Sequence, residues 1–344
     1  MAPDEPASTA ASIHHGQHPP RPASTPVAWT AAAVSLPSSP TCGGPSEGTD
    51  VSTDPAVSQQ AATTESAWTT FWNSGSWWKA VLAVVGYIAL YQLAGLGIGE
   101  TFARFIHPEN IFATAASVFL GVGAGLVVGA VLLLGFLVSV GWLRPIFARH
   151  QGHGQYVRGR WWMWAAPVVV LVPIVLRIVG IDYASYAPGV VATTFAVGLL
   201  IGFTEELLYR GIVVKILRDG GHREWTVAVV SSGLFALSHS VNLLSGQPVL
   251  TVGLTVVFTF GFGLMMYLVM RITGSIIWAM VLHALTDPTT MLATGGIDVD
   301  TGAAHSPALE LASPFNIVFV VVALIALLFI RGRVTPGRPS PSTS

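Results

Sequence analysis

Two adjacent acids and a guanidinium, Glu205, Glu206 and Arg210, stand in the stretch Gly202-Phe203-Thr204-Glu205-Glu206-Leu207-Leu208-Tyr209-Arg210-Gly211, inside an otherwise apolar run over residues 189–217. The run has about 29 positions, enough at about 1.5 Å each to cross a hydrocarbon core of about 30 Å with some tilt. A charge near the bilayer centre costs about 2.5–3.5 kcal/mol on insertion scales, so three of them need partners. Glu206 and Arg210 are i,i+4 neighbours with the acid N-terminal, the favoured order for pairing along one face. Glu205 lies about 100° round the helix and is left unpaired by its own helix. A structural ion pair accounts for Glu206 and Arg210. It does not account for Glu205, and a carboxylate facing lipid is the least tolerable outcome.

The remaining polar groups in apolar runs are few and recur at helical spacing. Phe235 and His239 lie at i,i+4 in Phe235-Ala236-Leu237-Ser238-His239-Ser240-Val241-Asn242, with Asn242 three further on. In Trp278-Ala279-Met280-Val281-Leu282-His283-Ala284-Leu285-Thr286-Asp287, His283 and Asp287 stack in the same way, and Pro288 follows. A proline there removes a backbone donor and disfavours helix at the residue before it, so a kink is expected at Asp287. A single histidine on an apolar helix is more often a hydrogen-bonded core residue than a ligand. Depth changes that balance. Counted from the basic ends of their helices, Glu205, His239 and His283 lie about 18, 21 and 13 Å in. Side chains at similar depth on three helices can converge in one bundle interior. Two carboxylates and two imidazoles there are the inventory of a general base with electrophilic partners, or of a zinc site.

The elements that must position these groups follow from composition and hydropathy. The chain has 344 residues, 52% hydrophobic and 10% charged, with a mean hydropathy of +0.64. That is the composition of an all-α, polytopic membrane protein. Eight spans are predicted, at about 78–99, 112–140, 163–181, 189–217, 225–245, 249–270, 275–294 and 314–330, enclosing an intramembrane polar site. Residues 1–66, rich in Ala, Ser, Thr and Pro, are expected to be a disordered cytoplasmic tail, and His14, His15 and His18 belong to it rather than to a metal tract. No signal peptide is evident. Trp72, Trp77 and Trp78 are expected to form an interfacial belt before the first span. Residues 67–160 then carry the N-terminal spans and a basic loop, 161–295 the chemical core, and 296–344 the last span and a short tail.

Orientation follows from the basic residues. Arg144, Arg149, Arg158 and Arg160 fill the second loop, Lys215, Arg218 and Arg223 the fourth, Arg271 the sixth, and Arg331, Arg333 and Arg338 the end. The opposite loops hold Arg104 and acids such as Glu100, Asp182, Asp298 and Asp300. By the positive-inside rule both termini are expected to be cytoplasmic. Arg177 is the exception near the outer end of the third span, where snorkelling or a lipid headgroup would explain it. The basic residues form no aromatic-interleaved patch, which gives nucleic-acid binding no support. The single Cys42 excludes an intrachain disulfide and a multi-cysteine metal site.

Glu-Glu-x-x-x-Arg at 205–210, Phe-x-x-x-His at 235–239 and His-x-x-x-Asp at 283–287, in that order on three spans, resemble the CPBP intramembrane proteases. These include the CAAX prenyl endopeptidases of the Ras-converting-enzyme type and the Abi bacteriocin-immunity proteins. Gly261-Phe262-Gly263 and the Arg271 to Thr273-Gly274-Ser275 turn fit the same pattern, and the resemblance covers about residues 160–295. It implies peptide-bond hydrolysis inside the membrane by a glutamate-activated water. Glu205 with His239 would activate the water, His283 and Asp287 would stabilise the oxyanion, and Glu206 and Arg210 would hold the site together. The departure is Asp287, where the family's third motif more often ends in Asn; an ionised carboxylate is a poor oxyanion donor.

Two mechanisms stay open at this point. Glu205, His239 and His283 would make a His₂Glu set for zinc with an open position for water, which would make the protein a metalloprotease; the metal-free route uses the same residues. Two other functions also stay open. One is a proton-coupled transporter using the acids and histidines as a relay, against which stands the lack of an evident inverted repeat. The other is an inactive immunity or scaffold protein. The expected partners are the lipid bilayer and a membrane-associated peptide or protein substrate. The Gly, Ala and Val richness suggests a bacterial plasma membrane, where prenylated substrates are not expected. A cavity open to the cytoplasm, with Lys215, Arg218, Arg223 and Arg271 at its rim, is expected to admit an acidic segment.

Overall fold

The computed structural model describes residues 66–148, 157–294 and 306–334. The expected tail lies outside the described residues except for Ser66, and so do Cys42, Arg149, Asp298, Asp300 and Arg338. Among the described residues there are helices and turns but no strands.

Among the described residues, eight helices are long and apolar enough to cross a membrane: α1 Trp77–Phe105, α2 Ala115–Ser139, α3 Trp161–Gly180, α4 Val190–Asp219, α5 Glu224–Ser245, α6 Val249–Thr273, α7 Ile276–Thr294 and α8 Pro307–Leu327. The protein is therefore an all-α, multi-pass membrane protein. α8 begins seven residues earlier than hydropathy suggested. Ser306 caps it by accepting a hydrogen bond from the Leu309 amide at 3.2 Å, and Pro307 occupies the first turn, where its missing N–H is not needed.

Burial ranks the helices. About 61% of the apolar window of α7 is buried, against 6% for α1. α1 turns Leu93 and Leu96 outward, as a lipid-facing helix does. α7 is the central post, and its most extensive packing is with α4. The sequence permits that approach through Gly198-Leu199-Leu200-Ile201-Gly202. A Cβ on Gly198 would lie 2.6 Å from Pro288 Cδ, and one on Gly202 would lie 2.6 Å from the Ala284 amide nitrogen and the Met280 carbonyl oxygen. This is small-xxx-small packing, in which two helix backbones touch because neither glycine has a side chain. The expected kink at Asp287 does not interrupt the element: α7 stays helical through Pro288 to Thr294.

α4 is not uniform. After Glu206 it widens into a π-helical segment, Leu207–Val213, all of it buried, before closing as α-helix from Val214. π-turns insert extra backbone and re-aim side chains, and they concentrate at functional sites.

At the end of the bundle that carries the basic loops, the charges are used internally. Arg218 Nε and Nη2 donate to the two oxygens of Glu224 at 2.9 and 2.8 Å, and the Tyr267 hydroxyl donates to the same carboxylate. Arg271 Nη2 donates to the Arg331 carbonyl, and the Glu224 amide donates to the Gly332 carbonyl at 3.0 Å. The C-terminal segment is thus tied to α5 and α6. Arg218 and Arg271 are each only 4% exposed, so two of the four expected rim cations are corrected, while Arg223 is exposed. Lys215 is likewise paired with Asp219 at 2.7 Å. The aromatic belt also needs one correction. Trp72 is buried, edge-on to Phe136 at 5.0 Å, because the short helix Ala67–Asn73 packs down beside α2, while Trp77 and Trp78 are exposed as expected.

Candidate active site

The α4–α7 crossing determines what Glu205 and Glu206 meet. His283 lies one residue before Ala284, against which Gly202 packs, and its ring falls between the two acids. His283 Nδ1 donates to Glu206 Oε1 at 2.7 Å, and Nε2 lies 3.6 Å from Glu205 Oε2. The same Nε2 is 3.6 Å from Asp287 Oδ2, one turn along α7. Arg210 closes the other side of Glu206, with Nη1 at 3.1 Å from Oε1. The sequence-expected pairing of Glu206 with Arg210 is present, and His283 is added to it.

The surroundings separate the acids. Glu206 and Arg210 have no exposed side-chain surface and His283 has 2%, whereas Glu205 retains 27% and Asp287 17%. Glu206 is a buried anchor that sets the His283 ring and its tautomer by holding Nδ1–H. Glu205 keeps accessible side-chain surface. Arg210 is held further by donating from Nη2 to the Gly263 carbonyl at 2.6 Å, and its guanidinium lies 4.7 Å above the Phe235 ring. A Cβ on Gly263 would stand 2.9 Å from Arg210 Nη2 and 2.8 Å from Phe235 Cδ1, so glycine leaves the guanidinium its room.

Phe235 organises the aromatic floor. His239 stands edge-on to it at 5.1 Å and His283 at 5.8 Å, while Phe262 packs edge-on to His283 at 4.9 Å. His239 Nδ1 donates to the Phe235 carbonyl at 3.0 Å, which leaves Nε2 as its acceptor nitrogen. His239 is within electrostatic reach of Glu205 but makes no ion contact with it; the imidazole at Glu205 is that of His283. Glu205, Glu206, Arg210, His283 and Asp287 are therefore one contact cluster, with His239 beside it.

Sequence reasoning missed two residues of this neighbourhood. Tyr87 and Tyr91 of α1, four residues apart, stack at 6.1 Å, and both are within electrostatic reach of Glu205. They fit because Gly125 and Gly129 of α2 lack side chains: a Cβ there would meet the Tyr91 ring at 3.3 Å and the Tyr87 hydroxyl at 2.4 Å. The signal was readable as a second small-xxx-small pattern opposite two intramembrane tyrosines. Tyr87 also lines an apolar cavity of about 710 Å³ with Trp68, Phe71, Leu90, Phe136 and Leu208.

A zinc site needs three or four donors turned to one point. Among the described residues no group of three His, Cys, Asp or Glu side chains is placed to hold a metal ion. Glu205, His239 and His283 do not form such a set, and no step below is routed through a metal.

Fold and site together define a class: a multi-pass membrane protein with a partly solvated acid beside an anchored imidazole, deep among its helices. Residues 187–289 match the family model of Rce1-like type II CAAX prenyl endopeptidases, a match that supports the resemblance to the CAAX proteases. The match supports, at family level, an intramembrane protease of CAAX type, a family that implies a membrane-associated protein substrate. The matched segment holds all six candidate residues. It begins at 187 rather than near 160, so α3 stands outside it. No curated protein and no solved structure matches the chain.

Proposed function

We propose that the protein is an endopeptidase that hydrolyses a peptide bond of a membrane-associated substrate with a water activated by Glu205. The supporting observation is the asymmetry between the paired acids. One is buried, with Arg210 and His283 both on its Oε1, and the other is partly exposed with an imidazole 3.6 Å away. Glu205 takes a proton from water, with His239 assisting from across the site, and the water oxygen bonds to the scissile carbonyl carbon. The oxyanion so formed is stabilised by donation from Nε2 of a doubly protonated His283, a cation among the Glu205, Glu206 and Asp287 carboxylates that Glu206 keeps in position, with Asp287 at the rim. The proton held at Glu205 passes to the leaving nitrogen as the C–N bond breaks, leaving one carboxyl and one amine terminus.

The test is cleavage of membrane-associated peptides by protein in lipid vesicles, with a prenylated CAAX peptide, the class named for the matched family, offered beside its unprenylated form. Glu205→Gln should lower turnover by about 10²–10⁴-fold, the range for loss of a general base. Its unfolding midpoint should stay at the wild-type value. Near wild-type cleavage by Glu205→Gln would remove the reading.

A further inference from the structure

Arg177, in the last turn of α3, has no part in the mechanism above and lies outside the family match. The sequence suggested a snorkelling side chain, and the structure overturns this. Arg177 is only 5% exposed, its Nη1 is buried without a hydrogen-bond partner, and among the described residues it forms no ion pair. A buried guanidinium needs a counter-charge, and the helix C-terminus on which it sits offsets only a fraction of the burial cost.

Helix register locates that counter-charge. α3 and α7 run side by side in one direction: a Cβ on Gly159, before α3, would meet the Ile272 backbone at the turn into α7, and beyond the far end of α3 Ile181 packs with Leu292 and Ala293. One turn back from that contact, about four residues on each helix, Arg177 comes level with Pro288 and Thr289, next to Asp287. Asp287 is within electrostatic reach of Arg177, although the two do not touch. The neighbouring groups offer nothing equivalent. Asp182 and Glu310, at the same end of the bundle, are exposed, where water screens them. The Tyr183 and Tyr186 hydroxyls donate to the Ile178 and Leu292 carbonyls. Tyr267 and Arg271 of α6 belong to the cluster at the opposite end.

The reactive cluster lacks positive charge on that side. Ionised Glu205, Glu206 and Asp287 carry three negative charges, against which Arg210 and a doubly protonated His283 supply two positive ones. An unbalanced charge inside a membrane bundle is costly, and without a third cation one of the acids would have to take up a proton. Arg177 makes the count even. It need not touch Asp287 to do so, because between packed helices with little water Coulomb attraction reaches beyond contact distance.

We propose that Arg177 is the balancing cation of the reactive cluster, a positioning residue that offsets the Asp287 carboxylate from across the α3–α7 contact. The inference rests on the endopeptidase reading for its kinetic effect, and its test adds a readout without substrate so that the two can fail separately. The full chain in lipid vesicles is measured for its unfolding midpoint, and for kcat and KM with the peptide cleaved in the test above. Arg177→Met and Asp287→Asn each leave one charge unbalanced, and each alone should lower the midpoint by about 5–15 °C. The double variant is neutral again and should recover most of that loss, so the two changes do not add. Arg177→Met should also lower kcat about tenfold with KM within about twofold, as one unbalanced charge near the base would do. That effect should vanish where Asp287 is already Asn, and Arg177→Lys should keep most of the wild-type kcat. A packing role alone would make the double variant worse than either single one and leave Lys no better than Met, and either result would overturn the assignment. If Arg177→Met does not fold by itself, a folded double variant carries the same support, and an unfolded one overturns it. Midpoint losses that cancel in a protein that cleaves no peptide would keep the balancing cation and sink the hydrolase. Cleavage by a protein whose midpoint losses add would do the reverse.

Discussion

The molecule holds two buried charge clusters, and they are built on opposite terms. In the one formed by Arg218, Glu224 and Tyr267, both oxygens of the acid are taken, the guanidinium is bidentate, and nothing reaches solvent. In the one formed by Glu205, Glu206, Arg210, His283 and Asp287, three carboxylates share one guanidinium and one imidazole. There Glu206 Oε2 and Arg210 Nε have no hydrogen-bond partner, and two acids open toward water. A saturated network can do nothing but hold, since every donor and acceptor is committed. The second cluster is left short of partners inside and open at Glu205 and Asp287, and on the proposed reading that opening is where a water and a peptide carbonyl would bind.

The comparison is broken most directly by removing one member of the saturated cluster. Glu224→Gln leaves Arg218 buried without its counter-charge and should cost about 3–5 kcal/mol. Detergent-resistant folding should fall accordingly, while turnover per folded molecule stays within about twofold, because Glu224 touches nothing at the active site. A large loss of turnover with unchanged stability would show that this cluster is also part of the chemistry. Glu205→Gln should give the opposite pattern.

A smaller, mixed effect is expected where the backbone brings the reactive cluster together. Gly202→Ala places a methyl group 2.6 Å from the α7 backbone, so the helices must separate. Destabilisation of about 1–3 kcal/mol, in the overpacking range, should accompany a fall in turnover of about tenfold or more as Glu205 and His283 part. Gly129→Ala meets the movable Tyr87 hydroxyl at 2.4 Å instead of backbone, and should disturb turnover less. Equal effects at the two glycines, measured side by side, would mean that the α4–α7 contact does not position the site.

These expectations show which parts were legible in the chain. Hydropathy placed all eight helices, because lipid demands long apolar runs whatever the packing. The pairing of Glu206 with Arg210 followed from local spacing, and the meeting of Glu205 with His283 from depth alone. Rotational facts were not legible from those signals. Whether Arg177 points to lipid or inward depends on how α3 is turned against α7, and depth does not record that. The π-segment at Leu207–Val213, which carries Arg210, has no composition signature. Gly198-x-x-x-Gly202 and Gly125-x-x-x-Gly129 were present as patterns, but their partners, a backbone in one case and two tyrosines in the other, are decided only by assembly.

The finest distinction between the clusters concerns a single atom. Asp287 Oδ2 lies 3.6 Å from His283 Nε2, on the side where the oxyanion would form. An ionised carboxylate there competes for the very donor that the oxyanion needs. A carboxamide of the same shape would instead offer an N–H of its own, as in the family pattern this motif resembles. Asp287→Asn should therefore keep turnover within about tenfold of the wild type, with any change upward at neutral pH. Asp287→Ala, which removes the polar group from the rim, should lose more, up to the 10²–10³-fold typical of a missing oxyanion donor. Steady-state cleavage of the prenylated peptide by the two variants, at matched fold stability, separates the cases. Were Asn as damaging as Ala, the charge of Asp287 itself would be needed at the site, and its place in the oxyanion role would have to be given up in favour of proton transfer beside Glu205.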